Sequence, residues 1–147
     1  MKFEIETRKT KEEIIQILLK NTSEQRGIGF RNYDKFFSGK VGENSFKIYR
    51  NIRYRNSFLP IFIGNIEESK TGCKICIKTR MVIFVIIFLS VWFTGIIGGC
   101  LAMPVAHVPI PQALFPYVML IFGCLITILP NRCEAKIGKE KLMELFQ

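Results

Sequence analysis

Few side chains in this sequence could do chemistry, and their spacing excludes more than it supports. Cys73-Lys74-Ile75-Cys76 has CxxC spacing. Zinc would need two more ligands, and a redox pair usually sets its first cysteine at a helix start. This pair falls in a run that reads as a strand, where residues three apart point to opposite faces. Cys133 follows the apolar part of the chain, and His107, the one histidine, lies within it. Residues 1–80 therefore contain no histidine to act as the base of a Ser-His or Cys-His nucleophile. Glu67 and Glu68 are adjacent on a strand pattern and so face opposite ways, a poor acid/base pair. Gly27, Gly29, Gly39, Gly42 and Gly64 make no phosphate-loop motif. No metal, no cofactor and no enzymatic activity are expected.

The most suggestive cluster is basic and aromatic. Arg50, Arg53 and Arg55 lie with Tyr49 and Tyr54 in a run, Ser45–Arg55, that alternates as a strand. On that reading Phe46, Ile48, Ile52 and Tyr54 share one face, and Lys47, Tyr49, Arg53 and Arg55 share the other. Arg50 falls on the apolar face and breaks the pattern. Arginines grip phosphate in two-point contacts, and tyrosines suit a membrane interface. Lys47, Tyr49, Arg53 and Arg55 are thus either a solvated strand face or a site for anionic lipid or a phosphorylated ligand.

These residues must be positioned by a chain of unusual layout. From Met81 to Asn131 there is no Lys, Arg, Asp or Glu, although 22% of the chain is charged. A bilayer accounts for such a gap. Met81–Met103 reads as one membrane span and residues 112–129 as a second, with Pro116 in its first turn. The intervening Pro104–Pro111, PVAHVPIP, stops the helix and forces an antiparallel hairpin. Lys78 and Arg80 precede the first span, Arg132, Lys136, Lys139 and Lys141 follow the second, and the connection carries no Lys or Arg. The positive-inside rule places both termini in the cytoplasm of a multi-pass protein of the inner or plasma membrane.

Small residues recur on the first span: Ser90, Thr94, Gly98 and Ala102, and a GxxxG at Gly95 and Gly99. Such residues let helix backbones approach closely, either within the hairpin or between copies in a homo-oligomer.

Residues 1–80 read as a cytoplasmic α+β unit. Lys2–Thr7 alternates as a strand, and Thr10 with Glu13 forms a capping box opening a helix. Strands follow at Tyr33–Val41, Ser45–Arg55, Ser57–Glu67 and Cys73–Arg80. Pro60 points to an edge position or a bulge for the third of these. The last runs without a linker into the first span. After the hairpin, residues 131–147 form a short cytoplasmic helix. Residues 1–80 hold 17 basic and 9 acidic side chains, within a net charge of +9 for the chain. That balance suits the cytoplasmic side of a membrane and its anionic lipid headgroups better than nucleic acid.

The stretch from Phe37 to Arg80, with GKVGENSFKIYRNIRYRNSFLPIFIG and then GCKICIKTR leading into the membrane, resembles a bacterial family of two-span membrane proteins with no assigned activity. The resemblance covers roughly residues 30–130 and implies an architecture, not a reaction. A looser likeness lies in the order strand, helix, antiparallel strands and closing helix, which is also that of helix-grip lipid-binding domains. Two functions remain open: a non-enzymatic binding or sensing module at the inner leaflet, and a membrane-perturbing or channel-like effector acting through its hairpin.

Overall fold

The computed structural model describes residues 1–24, 34–105 and 109–147. It is an α+β structure with a six-stranded sheet and three helices. Strand β1 (Lys2–Thr7) leads to helix α1 (Lys11–Asn21), then β2 (Thr22–Glu24), β3 (Phe37–Val41), β4 (Ser45–Arg50), β5 (Ile61–Ser69) and β6 (Gly72–Arg80). The order across the sheet is β1-β6-β5-β4-β3-β2. All neighbours are antiparallel except β2 and β3, which are parallel.

The capping box forms as expected: Glu13 N–H donates to Thr10 Oγ1, and Thr10 N–H donates to the Glu13 carboxylate at 2.7 Å. Helix α1 turns Ile14 and Leu18 into the core. Alternation decides the rest of that core. Ile5, Phe37, Phe46, Ile48, Phe62, Ile66, Cys73, Ile75 and Ile77 all point to the one sheet face that the helices cover. Gly39 and Gly72 adopt positive φ of 149° and 140°, where a Cβ would fall on the neighbouring-strand carbonyls of Lys47 and Thr7.

Three strand expectations shift. β4 stops at Arg50, and residues 51–60 form an irregular connection instead of more strand. Pro60 precedes β5, and β5 is a central strand paired on both sides; the proline needs no edge because it lies just outside the ladder. β2 forms where the sequence suggests only the end of α1. Of the predicted Tyr33–Val41 strand, residue 33 lies outside the described residues, residues 34–36 are irregular, and β3 begins only at Phe37.

Two residues separate the end of β6 from helix α2 (Ile83–Val105). Helix α3 runs from Ile110 to Phe146 without a break, 37 residues, or roughly 55 Å. The separate last helix expected after residue 130 is instead the second half of α3, which passes through Pro130. Pro116 is likewise interior, not in a first turn, because α3 starts at Ile110 with Pro111 in its first turn. Both α2 and α3 are long and apolar enough to cross a membrane.

The two helices pack through small residues facing large ones. Trp92 lies against Gly123, Gly99 sits next to Pro116, and Tyr117 Oη donates to Cys100 O at 2.8 Å. Beyond the apolar half, Glu134, Ala135, Gly138, Leu142 and Phe146 are buried against the sheet. Gly138 lies on the Phe62 ring. At the end of the helix, Phe146 O accepts from Thr7 Oγ1 at 2.7 Å and Lys9 Nζ at 3.1 Å.

Gly138→Leu should therefore lower stability by about 1–3 kcal/mol, since the new side chain has to displace a core phenyl ring. Gly123→Leu should do the same to the hairpin through Trp92. Gly95→Leu should be close to neutral, because a Cβ there meets no described atom within 4 Å. Denaturant titration of the three variants in one detergent checks the order.

Candidate functional site

The polar group with most at stake is Glu134. Its side chain is 5% exposed, and Arg50 Nη1 donates to its Oε2 at 2.7 Å. Tyr54 Oη donates to its other oxygen. A buried carboxylate is costly unless both oxygens are hydrogen-bonded, and both of these are. Arg50 follows Phe46 and Ile48 on the covered face of β4, so its place in the apolar pattern is what aims it at α3. Its guanidinium also lies 5.7 Å from the centre of the Phe36 ring. Asn131 Nδ2 donates to Phe58 O at 2.8 Å, one turn before Glu134. Within the connection, Phe58 N–H donates to Asn56 Oδ1 at 2.9 Å. Residues 51–60 are thus tied to α3 where its apolar half ends.

The four residues grouped as a ligand face do not lie on one strand. Lys47 and Tyr49 point to the face of β4 away from α1 and α3, opposite Ile63 and Ile61. Arg53 and Arg55 are exposed in the connection after β4 has ended. The alternation that joins them in sequence ceases at Arg50, where β4 ends and the side chain bonds Glu134 on α3.

The small residues of α2 divide. Gly99 meets Pro116 within the hairpin, while Ser90, Thr94, Gly95 and Gly98 are exposed. Ser90 and Thr94 hydroxyls donate back to the Ile86 and Ser90 carbonyls.

Cys73 and Cys76 lie on opposite faces of β6. Cys73 is buried, and burial, with the charges of Glu68 and Glu12, pushes its thiol above the usual range. Cys76 is pushed up by burial and by Glu67 and Glu4, and its Sγ donates to Glu4 at 3.9 Å. Both stay as weakly nucleophilic thiols. Glu4 also accepts from Lys74 at 2.8 Å. That hydrogen bond and charge lower Glu4 and raise Lys74. The pair stabilises the fold between those limits; the gain is lost as pH falls through the lowered Glu4 value or rises through the raised Lys74 value. His107 lies outside the described residues, as do Gly27 and Gly29.

Two clefts flank the sheet. One of about 240 Å³ is lined by Glu6, Glu67, Glu68, Cys73 and Lys74 at the end of the sheet away from α2. Glu67 and Glu68 face opposite ways there, one toward Lys74 and one toward Cys73. The other, about 520 Å³, is lined by Lys20, Lys35, Arg50 and Lys141 with Asp34. Most of its cations have partners: Lys35 Nζ donates to Leu19 O and Thr22 O, Lys141 to Glu144, and Arg50 to Glu134.

No family model, curated protein or solved structure matches the chain.

Sequence reasoning registers Arg50 as a misfit but misses its partner. The available signal is a second misfit: Glu134 is the first acidic residue after the uncharged stretch and lies four residues before Gly138 on the inward stripe of α3. Arg50→Ala should cost about 3–5 kcal/mol, because it strands a buried carboxylate. Arg50→Met combined with Glu134→Leu should recover most of the loss. A double-mutant cycle by denaturant unfolding measures this; additive losses would remove the pair from its role.

Proposed function

We propose that the chain is a two-span membrane protein with both termini in the cytoplasm, and that its α+β domain is a non-enzymatic binding or sensing module held at the inner leaflet. The observation that carries this reading is the double attachment of the sheet to the apolar helices. β6 reaches α2 in two residues, and α3 passes from its apolar half into the domain core as one helix. A domain on a single linker would swing freely; two stiff connections, with the Glu134 network between them, fix one end of the sheet toward the membrane. Cations flank the uncharged segment on both sides, which supports the orientation. The weakly acidic thiols and the absence of histidine from residues 1–80 support a non-enzymatic role.

A second reading, an effector acting through an oligomeric hairpin, draws on one observation: Ser90, Thr94, Gly98 and Ala102 form a row of small residues exposed on α2. Leakage of a reporter dye from vesicles holding the purified chain would favour it over the binding module.

Orientation is tested with single cysteines in a cysteine-free background. Pro109→Cys should react with an impermeant thiol reagent on intact cells, and Arg55→Cys only after lysis. The opposite pattern, or release of the chain by alkaline carbonate, would overturn the proposal.

A further inference from the structure

The face of the sheet opposite α1 and α3 carries a charge pattern that appears only once the strands are in register. Lys40 pairs with Lys47, Lys47 with Ile63, Ile63 with Lys78, and Lys78 with Lys2. Four lysines from β3, β4, β6 and β1 therefore stand in one row across five strands, a span of about 19 Å. All four are exposed. The next row toward α2 is Ser38, Tyr49, Ile61 and Arg80, again with no carboxylate. The acidic residues of these five strands all lie farther from α2: Glu4 is one row beyond the lysines, bonded to Lys74, and Glu6, Glu67 and Glu68 are farther still.

Two of the contacts in the row, Lys40 with Lys47 and Lys2 with Lys78, put like charges directly opposite each other on antiparallel strands. Such pairs are destabilising. A sheet that needed only a solvated face would gain by alternating the signs, as it does at Glu4, Lys74 and Glu67. The lysine row opposes the stability of the fold unless an anionic partner offsets it.

We propose that the lysine row Lys2, Lys40, Lys47 and Lys78 is the surface through which the domain binds anionic lipid headgroups of the membrane that holds α2 and α3. The inference rests on the membrane reading above. Position selects lipid over other polyanions. Lys78 is two residues, about 7 Å, before Arg80, and Arg80 adjoins the uncharged segment. A headgroup layer is about 5–8 Å deep on each side of the hydrocarbon. The row therefore lies at or just below headgroup depth, within reach of flexible lysine stems. Tyr49, Ile61 and Ile63, each half-buried, supply the aromatic and apolar contacts that an interface favours.

The test uses the full chain in neutral detergent micelles, with phosphatidylglycerol or phosphatidylcholine added, and reads the unfolding midpoint. Phosphatidylglycerol should raise the midpoint by about 5 °C, phosphatidylcholine should not, and the gain should shrink at high ionic strength. Replacing all four lysines by glutamine should abolish the gain, while the midpoint without lipid stays level or rises as the like-charge pairs vanish. The four Lys→Arg replacements should keep the gain. An equal gain from both lipids, a full gain in the glutamine variant, or a larger gain from an RNA oligonucleotide than from phosphatidylglycerol would overturn the proposal. Failure of the orientation and extraction tests would instead bring down the membrane reading; a chain that passes them but keeps its gain without the lysines refutes the lysine row alone.

Discussion

A carboxylate buried under an arginine fixes how the long helix lies on the sheet. Glu134 can be buried only where Arg50 and Tyr54 reach its two oxygens, and Arg50 is held at the end of β4 by the alternation that buries Phe46 and Ile48. Once Glu134 is set, helical periodicity sets the residues that follow on the same face, Gly138, Leu142 and Phe146. Gly138 can then approach the Phe62 ring because it has no side chain, and the helix ends where Thr7 and Lys9 meet the Phe146 carbonyl. One polar contact at the start, one glycine in the middle and two hydrogen bonds at the end define the axis of α3 across the sheet.

The same stripe extends backward. Pro116, Gly123 and Thr127 are buried against α2, and they continue to Glu134, Gly138, Leu142 and Phe146 at intervals of four and seven residues. One face of α3 thus packs first on a helix and then on a sheet. That is possible within one continuous helix because β6 passes almost directly into α2, which keeps both packing surfaces on one side of α3. Pro130 falls between the two packed regions, between Thr127 and Glu134 on the chain. A helix made from two halves of such different polarity looks like two elements in sequence. Its continuity follows from a stripe with one phase.

Much of this was legible from residue pattern. The α+β class, the capping box at Thr10 and Glu13, strands β1 and β6, and the two apolar helices follow from periodicity and capping chemistry. The C-terminal end of β4 does not. Ile52 and Tyr54 prolong the alternation that Ser45 to Arg50 begins, but the strand ends at Arg50 and Tyr54 lies in the connection that reaches Glu134. Placing Arg53 and Arg55 beside Lys47 and Tyr49 fails for that reason. β2 was hidden because three residues, Thr22–Glu24, carry no periodic signal and are ordered by β3. GxxxG identified a close approach at Gly99, but not which of its two glycines meets a neighbour.

Charge was the least legible feature, and the reason is geometric. A helix brings charges together from within about a turn, so its clusters can be seen along the chain. A sheet brings together residues whose separation is set by topology. Lys2, Lys40, Lys47 and Lys78 are scattered over half the chain, each in an ordinary alternating strand, and no window on the sequence contains them all. Reading along the chain selects instead the local run at Arg50 to Arg55, which the fold then divides between a buried pair and an exposed connection. A row assembled from four strands exists only when all four are paired. A ligand bound by the whole row therefore recognises the folded sheet and not the unfolded chain, and its binding free energy adds directly to the stability of a fold that the unpaired lysines weaken.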